Sequence, residues 1–519
     1  MRRLLPVLLM VAVIGCGKKP VAEGDPPTSA PPPAAEGQSG PTPNPSDPPS
    51  ANPLPFDKPT LDGWEKARFY LGGRKLTAFG EVIDASDRGE TPDAIPTFIH
   101  DPSPVTTLGA FPKGEFAVDL RTEMSPLRTE MSPRSDLDPV PPALLHSLPN
   151  TPGADKVVGL GMSIKDPALL AVVKGLPNLR FLAVNISEVA FAAADWSAIA
   201  DLPNLKVVDI TLYSPQAAPG ALKLSALKPI RATVSVTGKL SAEAATGVAD
   251  AQCVSALRLQ DPSAALLTAL ANAPGLRKLT VTAGSPPQGL RPADREAIRK
   301  DLAAQFAPVA NLKHLTSLEL VYGGSADAFL AAASSLPELT ELSVGTVRSY
   351  DPVSLDPYAP TAETVARIGQ LTKLRRLKLE GAYLPKDGLK CLTPLANLTS
   401  LDISRTAWLS SVLAVPGLAD RLTDLTLEFV YKEDWPRFAE LKSLRQLRVS
   451  IVLGSETAAE HLSKLTRLQR LRVDDINLFS RNDRRLDQFI RAMPDCSVNG
   501  NTPYSKMSKE ERDAVSPPN

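Results

Sequence analysis

Leucines recur along this chain at fixed offsets. The chain reads LPNLRFLAV from Leu176, LPNLKVVDI from Leu202, APGLRKLTV from Ala273 and LKHLTSLEL from Leu312. The same order returns in LPELTELSV from Leu336, LTKLRRLKL from Leu371, LANLTSLDI from Leu395, LKSLRQLRV from Leu441 and LTRLQRLRV from Leu465. Each stretch has the form L-x-x-L-x-x-L-x-L, and most lie 22 to 26 residues apart. Weaker copies end at Met162, Val236, Leu259 and Leu427, and MPDCSV at 493–498 reads as a last, degenerate turn. The closing L-x-L is a period-2 alternation, which predicts a strand with its leucines on one face. The leucines before it fill the space between that strand and an outer segment. One repeat cannot bury the set alone, so neighbours must stack into a continuous core.

Self-similarity at this period marks a solenoid. The motif resembles that of the leucine-rich repeat family, over about residues 151–500 and with about 13–14 copies. That resemblance implies an α/β solenoid, an arc or horseshoe with an inner parallel β-sheet and outer helical or irregular segments. Thirteen strands at about 4.8 Å spacing would give a sheet edge of roughly 60 Å. Several outer segments carry helix-start signals. Asp166-Pro167 precedes ALLAVVKGL and Asp261-Pro262 precedes SAALLTALANAPG, each Asp fitting an N-cap and each Pro the first helical position.

The chain's beginning is different in kind. MRRLLPVLLMVAVIGC has two arginines, then eleven apolar residues from Leu4 to Ile14, then Gly15 and Cys16. Those are the charged and apolar regions of a secretory signal, and the run is shorter than the about 20 residues that span a bilayer. Val13-Ile14-Gly15-Cys16 resembles the lipobox of bacterial lipoprotein precursors. The resemblance implies cleavage after residue 15 and lipid on Cys16, with two or more acyl chains making the anchor stable. Gly17 is not the aspartate that often retains such proteins at an inner membrane, so the reading leans toward the outer one. Residues 16–56 are rich in Pro, Gly, Ser and Ala and read as an extended tether. At about 3.1 Å per residue such a tether reaches on the order of 100 Å.

Residues 57–150 form a smaller region ahead of the repeats. Within it LDGWEKARFYLGGRKLTAFGEVID accommodates a short helix and a strand, and the whole fits a cap on the first repeat's open end. The tandem LRTEMSPLRTEMSP at 120–133 is expected to be an exposed loop, since seven added residues would disturb a packed element. Residues 501–519 are a polar tail.

Charge and chemistry narrow the function. The chain has 57 basic and 57 acidic residues, so no global field recruits nucleic acid or an anionic surface. Cys253, Cys391 and Cys496 are four or five repeats apart, on the order of 20 Å or more, which excludes disulfides between them. No C-x-x-C or metal-ligand spacing is present, and no cofactor is implied. The serine-hydrolase, zinc-protease and phosphate-loop motifs are absent. FIHDP offers only His100 beside Asp101, and adjacent residues point apart in a strand.

Binding is then the leading expectation, on the residues flanking the strand leucines. Taken in motif order, the first of each triplet are Phe181, Val207, Ala256 and Lys278. The face is polar and mixed in sign, acidic at Asp402, Asp424 and Glu428, then basic at Arg448, Arg470 and Arg472, with Arg376 and Lys378 further back. No basic track with interleaved rings appears, which weighs against nucleic acid. A strand's solvent face must be polar in any case. Two insertions lengthen the repeats, within 283–311 and 345–360, and the second carries Tyr350 and Tyr358 on a proline-stiffened loop. The sequence thus points to a non-catalytic, lipid-anchored repeat protein of the bacterial envelope that binds another protein or other macromolecule. A structural scaffold without a single ligand is the alternative, and an envelope enzyme with its site in 57–150 the third.

Overall fold

The computed structural model describes residues 69–76, 82–84, 95–100, 111, 114–120, 142–213, 224–283, 292–321, 326–345, 362–380, 388–404, 409–452, 458–473, 485–499 and 504–507. The leader, Cys16, the tether, the inserted tyrosines and residues 121–133 of the duplication lie outside them.

Among the described residues, eighteen strands form one sheet. They are β1 (Phe69–Leu76), β2 (Val82–Asp84), β3 (Ile95–His100), β4 (Phe116–Asp119), β5 (Val157–Ile164) and β6 (Phe181–Ser187). Next come β7 (Val207–Tyr213), β8 (Thr233–Gly238), β9 (Val254–Gln260), β10 (Lys278–Thr282), β11 (Ser317–Val321) and β12 (Glu341–Gly345). The last are β13 (Arg376–Glu380), β14 (Ser400–Asp402), β15 (Asp424–Val430), β16 (Gln446–Val452), β17 (Arg470–Val473) and β18 (Ser497–Val498). From β3 to β18 each strand pairs in parallel with the next. Parallel neighbours need a crossover, and the outer segment of each repeat is that crossover.

The sheet runs past the thirteen strands that the motif predicts. In the region before the repeats, β3 and β4 continue the parallel ladder, and β1 closes it by running antiparallel to both β2 and β3. His100 ends β3, opposite Phe69.

The repeat leucines do what their spacing requires. Leu257, Leu279, Leu318, Leu342, Leu377, Leu401, Leu425, Leu447 and Leu471 follow one another across the sheet, all buried. Aromatic pairs fill wider gaps beneath the outer segments: Phe191 with Trp196, Phe306 with Phe329, and Trp435 with Phe438. The Trp196 indole donates to the Phe191 carbonyl at 3.2 Å, so its buried N–H is satisfied.

A second ladder runs along the turn that feeds each strand. The Thr316 carbonyl accepts the N–H groups of Thr340 and Glu341 at 2.8 and 3.0 Å. Thr340, Arg375, Thr399, Thr423 and Arg445 repeat the arrangement with the strand that follows each. Threonine side chains reinforce it, Thr340 Oγ1 donating to the Thr316 carbonyl at 2.9 Å and Thr423 Oγ1 to that of Thr399 at 3.2 Å. At the far end Asn499 replaces a strand. Its Oδ1 accepts from the Val473 N–H at 2.7 Å and its Nδ2 donates to the Val473 carbonyl at 3.1 Å. Asn499 adopts a left-handed φ of 49°, a region that asparagine tolerates better than most residues.

Three details depart from the sequence reading. Motif order puts Ala256 in a row with Val207 and Phe181. Instead Ala256 pairs with Ser235 and, through it, lies in the row of Asp209 and Ala183. The register slips between β8 and β9, where Val234 meets Val254 but Ser235 meets Ala256, leaving Ser255 as an extra residue. Asp166 is a cap as expected, accepting from the Ala168 N–H at 2.9 Å, although the segment Pro167–Gly175 is a 3-10 helix. Asp261 is not a cap. It sits at φ 45°, and Ser263 caps the helix Ala264–Ala269 by accepting from Leu266. Finally, most of the first insertion is not a loop. Pro292–Phe306 is a 15-residue helix with Pro at its first position, and Phe306 anchors it edge-on to Phe329, 5.6 Å between ring centres.

Candidate binding face

The strand face opposite the leucine core changes character along the sheet. At its N-terminal end it is apolar and filled. All eight residues of β5 are buried, and Ala117, Phe181 and Val207 form a small apolar cluster separate from the main core. Asn185 Nδ2 donates to Ser163 Oγ at 3.3 Å beside this cluster, and Ser235 donates to Asp209 at 2.5 Å.

From β9 onward the face is charged and partly self-paired. Arg376 meets Glu341 on the neighbouring strand at 3.2 Å. Lys378 meets Glu380 at 2.9 Å and pairs in register with Asp402. Burial pulls the Lys378 ammonium down, but the hydrogen bond and charge of Glu380, with Asp402 and Glu319 beyond it, leave it above the usual lysine value. Glu319 also accepts from Thr280 Oγ1 at 3.1 Å. The sequence put Arg376 and Lys378 among the binding candidates, and both carry an acidic neighbour of their own chain.

The last two full strands carry a group of arginines. Arg448 on β16 lies directly opposite Arg472 on β17, and Arg470 lies opposite Gln446. Like charges in register repel. All three arginines are exposed. Sequence reading confined to strand-flanking positions missed the cations beside them. Lys442, Arg445, Lys464 and Arg467, in the turns that lead into β16 and β17, are exposed as well. It also missed Phe429, 41% exposed on β15 and opposite Ile451 on β16. The signal was available, since Lys442, Arg445 and Arg467 occupy x positions of two consecutive motif copies and Lys464 immediately precedes the second.

The other candidate chemistry is quiet. Cys253, Cys391 and Cys496 are free thiols. Burial pushes the first two up to about 11 and Cys496 up to about 12. Among the described residues no three His, Cys, Asp or Glu side chains converge on a possible metal position.

An unclosed parallel sheet in which one buried leucine per turn stacks on the next decides the fold. It is a leucine-rich-repeat solenoid. No family model and no curated protein matches the chain. Among solved structures the chain is similar to the crystal structure of an internalin (inlF) from Listeria monocytogenes. The two share 17% identity, over a match covering 74% of this chain and 91% of that one, with a TM-score of 0.31.

Proposed function

We propose that this is a non-catalytic, lipid-anchored leucine-rich-repeat protein of the bacterial cell envelope that binds another protein through the solvent face of its sheet. The observation that carries the reading is the arginine group of β16 and β17, where Arg448 and Arg472 stand in register and, with Arg470, are exposed. All three side chains are exposed on the solvent face of the sheet, and interfaces are enriched in arginine. The leader and the Val13-Ile14-Gly15-Cys16 lipobox support export and anchoring, and the proline-rich stretch after them supports reach.

The scaffold alternative draws support from the ion pairs of Arg376 and Lys378, which describe a face able to satisfy itself. Affinity capture from detergent-solubilised envelope separates the two, with the full mature chain as bait and its R448E/R470E/R472E variant as control. A protein retained by the native chain and lost with the variant supports binding at this face. Equal captures count against it. Mass spectrometry of the N-terminal peptide tests the anchor, which fails if Cys16 is present without acyl chains.

A further inference from the structure

We infer that the turn edge of the sheet, from β10 to β17, lies against an anionic lipid surface. This edge is separate from the solvent face to which a protein partner is assigned above. Neither that partner nor lipid on Cys16 is needed for it.

The first observation is charge set by position. A short turn follows each outer segment and feeds the next strand, and the turns into β6–β18 are all among the described residues. Arg277 feeds β10, Lys313 feeds β11, and Lys373 and Arg375 feed β13. Lys442 and Arg445 feed β16, and Lys464 and Arg467 feed β17. These eight cations are exposed, and the turns into β10–β17 hold one carboxylate, Glu338, which meets Lys373 at 2.6 Å.

The flanks do not reverse the sign. The last three residues of the outer segments before these turns balance, Arg367, Lys390 and Arg421 against Asp420, Glu440 and Glu460. The first residues of the strands hold three cations to two acids. The turns into β6–β8 add Arg180, Lys206, Lys228 and Arg231 against Asp201, with Glu115 meeting Arg180 at 2.6 Å, and the turn into β18 adds Asp495. The whole chain has 57 residues of each sign, so overall neutrality conceals a basic edge.

The second observation is that the edge is level. The first residues of β10–β17 pair in one unbroken row from Lys278 to Arg470. The carbonyls of Thr316, Thr340, Arg375, Thr399, Thr423 and Arg445 tie each turn to the next. The turns therefore stand at one height along the strands, at steps of about 4.8 Å and over about 34 Å. A level row can meet a flat surface along its whole length.

The third is what these turns offer besides charge. Their leucines are all buried, and none of them contains an aromatic ring. A protein partner fixes itself on buried apolar anchors, and a single nucleic-acid strand stacks on rings. Lipid headgroups need neither, since clustered lysines and arginines are drawn to an anionic leaflet by charge alone.

The test uses the full mature chain from residue 16 with Cys16→Ser, so that no acyl chain contributes. It is sedimented with vesicles of phosphatidylglycerol and phosphatidylcholine in equal parts. Binding should be absent on phosphatidylcholine alone and should weaken as salt rises from about 0.05 to about 0.3 M. K442E/R445E/R467E at one end of the row and R277E/K313E/R375E at the other remove the same charge. Each should weaken binding at least about tenfold. R448E/R470E/R472E, an equal reversal on the solvent face, should weaken it less than about threefold. Should a variant lose the native melting transition, glutamine replaces glutamate in all three.

No binding to the mixed vesicles at about 0.05 M salt, or equal binding to phosphatidylcholine alone, overturns the inference. So does a solvent-face reversal as damaging as the two edge reversals. Loss with only one edge triplet overturns the flat contact in favour of a local site. Inorganic polyphosphate that strips the chain from vesicles at equal phosphate concentration overturns it in favour of a linear polyanion. The envelope capture reads the solvent face and the vesicles read the edge, so either proposal can fail while the other stands.

Discussion

The ring of Phe181 occupies the space where Gly159, its partner on the neighbouring strand, has no side chain: a Cβ at 159 would overlap three atoms of that ring. Glycine is required here for room rather than for backbone conformation. Gly159→Ala should destabilise the chain by about 1–3 kcal/mol, the usual cost of overpacking. Phe181→Leu in the same background should recover part of the loss. Urea unfolding of the two single variants and the double measures the coupling, and strictly additive effects would contradict the contact.

Asn499 is the second place where one side chain stands in for structure. Its amide meets both polar groups of Val473. Asn499→Ala strands them at the sheet's end and should cost about 1–3 kcal/mol, with fraying confined to the last repeats. Hydrogen exchange at the Val473 amide is the direct measurement, and it should quicken. Asn499→Asp keeps an acceptor but sets a carboxylate oxygen against the Val473 carbonyl. It should be no better than alanine at pH 7 and should recover in part below about pH 4, once protonated.

Asp434 is buried in the segment Lys432–Glu440, and desolvation raises its pKa although its carboxylate accepts from the Tyr431 N–H at 3.3 Å. A carboxyl whose folded pKa lies above its unfolded one holds its proton more tightly when folded. Its contribution to stability therefore falls as pH rises through that interval, above the ordinary 3.8. Asp434→Asn retains an acceptor for Tyr431 without the buried charge. The variant should be more stable than the parent at pH 7, with the gap closing below about pH 4. Melting curves at the two pH values check the sign.

The three described thiols should be inert while the chain is folded. With Cys253 and Cys391 held at about 11 and Cys496 at about 12, almost none of each is thiolate at neutral pH. Iodoacetamide at about pH 8 should leave all three unmodified in native protein and alkylate them together in denaturant. Peptide mass spectrometry reads this out, and rapid native labelling of any one would show that its burial is transient.

How far the sequence carried the fold depended on periodicity. Leu377, Leu401 and Leu425 are legible because their spacing leaves one way to stack. The strands β3 and β4 were not, because IPTFIH and FAVD lack the flanking leucines that announce a repeat, although their backbone pairs in the same manner. The cap on Ala264–Ala269 was misread because Asp261-Pro262 and Ser263 both carry start signals, and only the left-handed backbone at Asp261 separates them. The binding face was half legible. Arg448, Arg470 and Arg472 follow from alternation, whereas the exposure of Phe429 does not, since it lies opposite Ile451 in the same alternation as the buried Leu425 and Leu427.

The slip at Ser255 has a meaning for how such a chain can change over generations. In a stacked array it is equivalent to a stacking fault: β5–β8 are in phase with one another, as are β9–β18, and the two phases meet at the seam of β8 and β9. Within β9–β18 a whole period can be lost or duplicated, and every remaining row still finds its partner. An exchange that crosses the seam cannot do this, because the incoming turn would sit two residues, about 6.6 Å, out of step with its neighbour. The fault therefore divides the molecule into two separately heritable blocks. The charged rows that end in Arg472 belong wholly to one of them, free to lengthen or shorten without disturbing the filled apolar rows around Phe181.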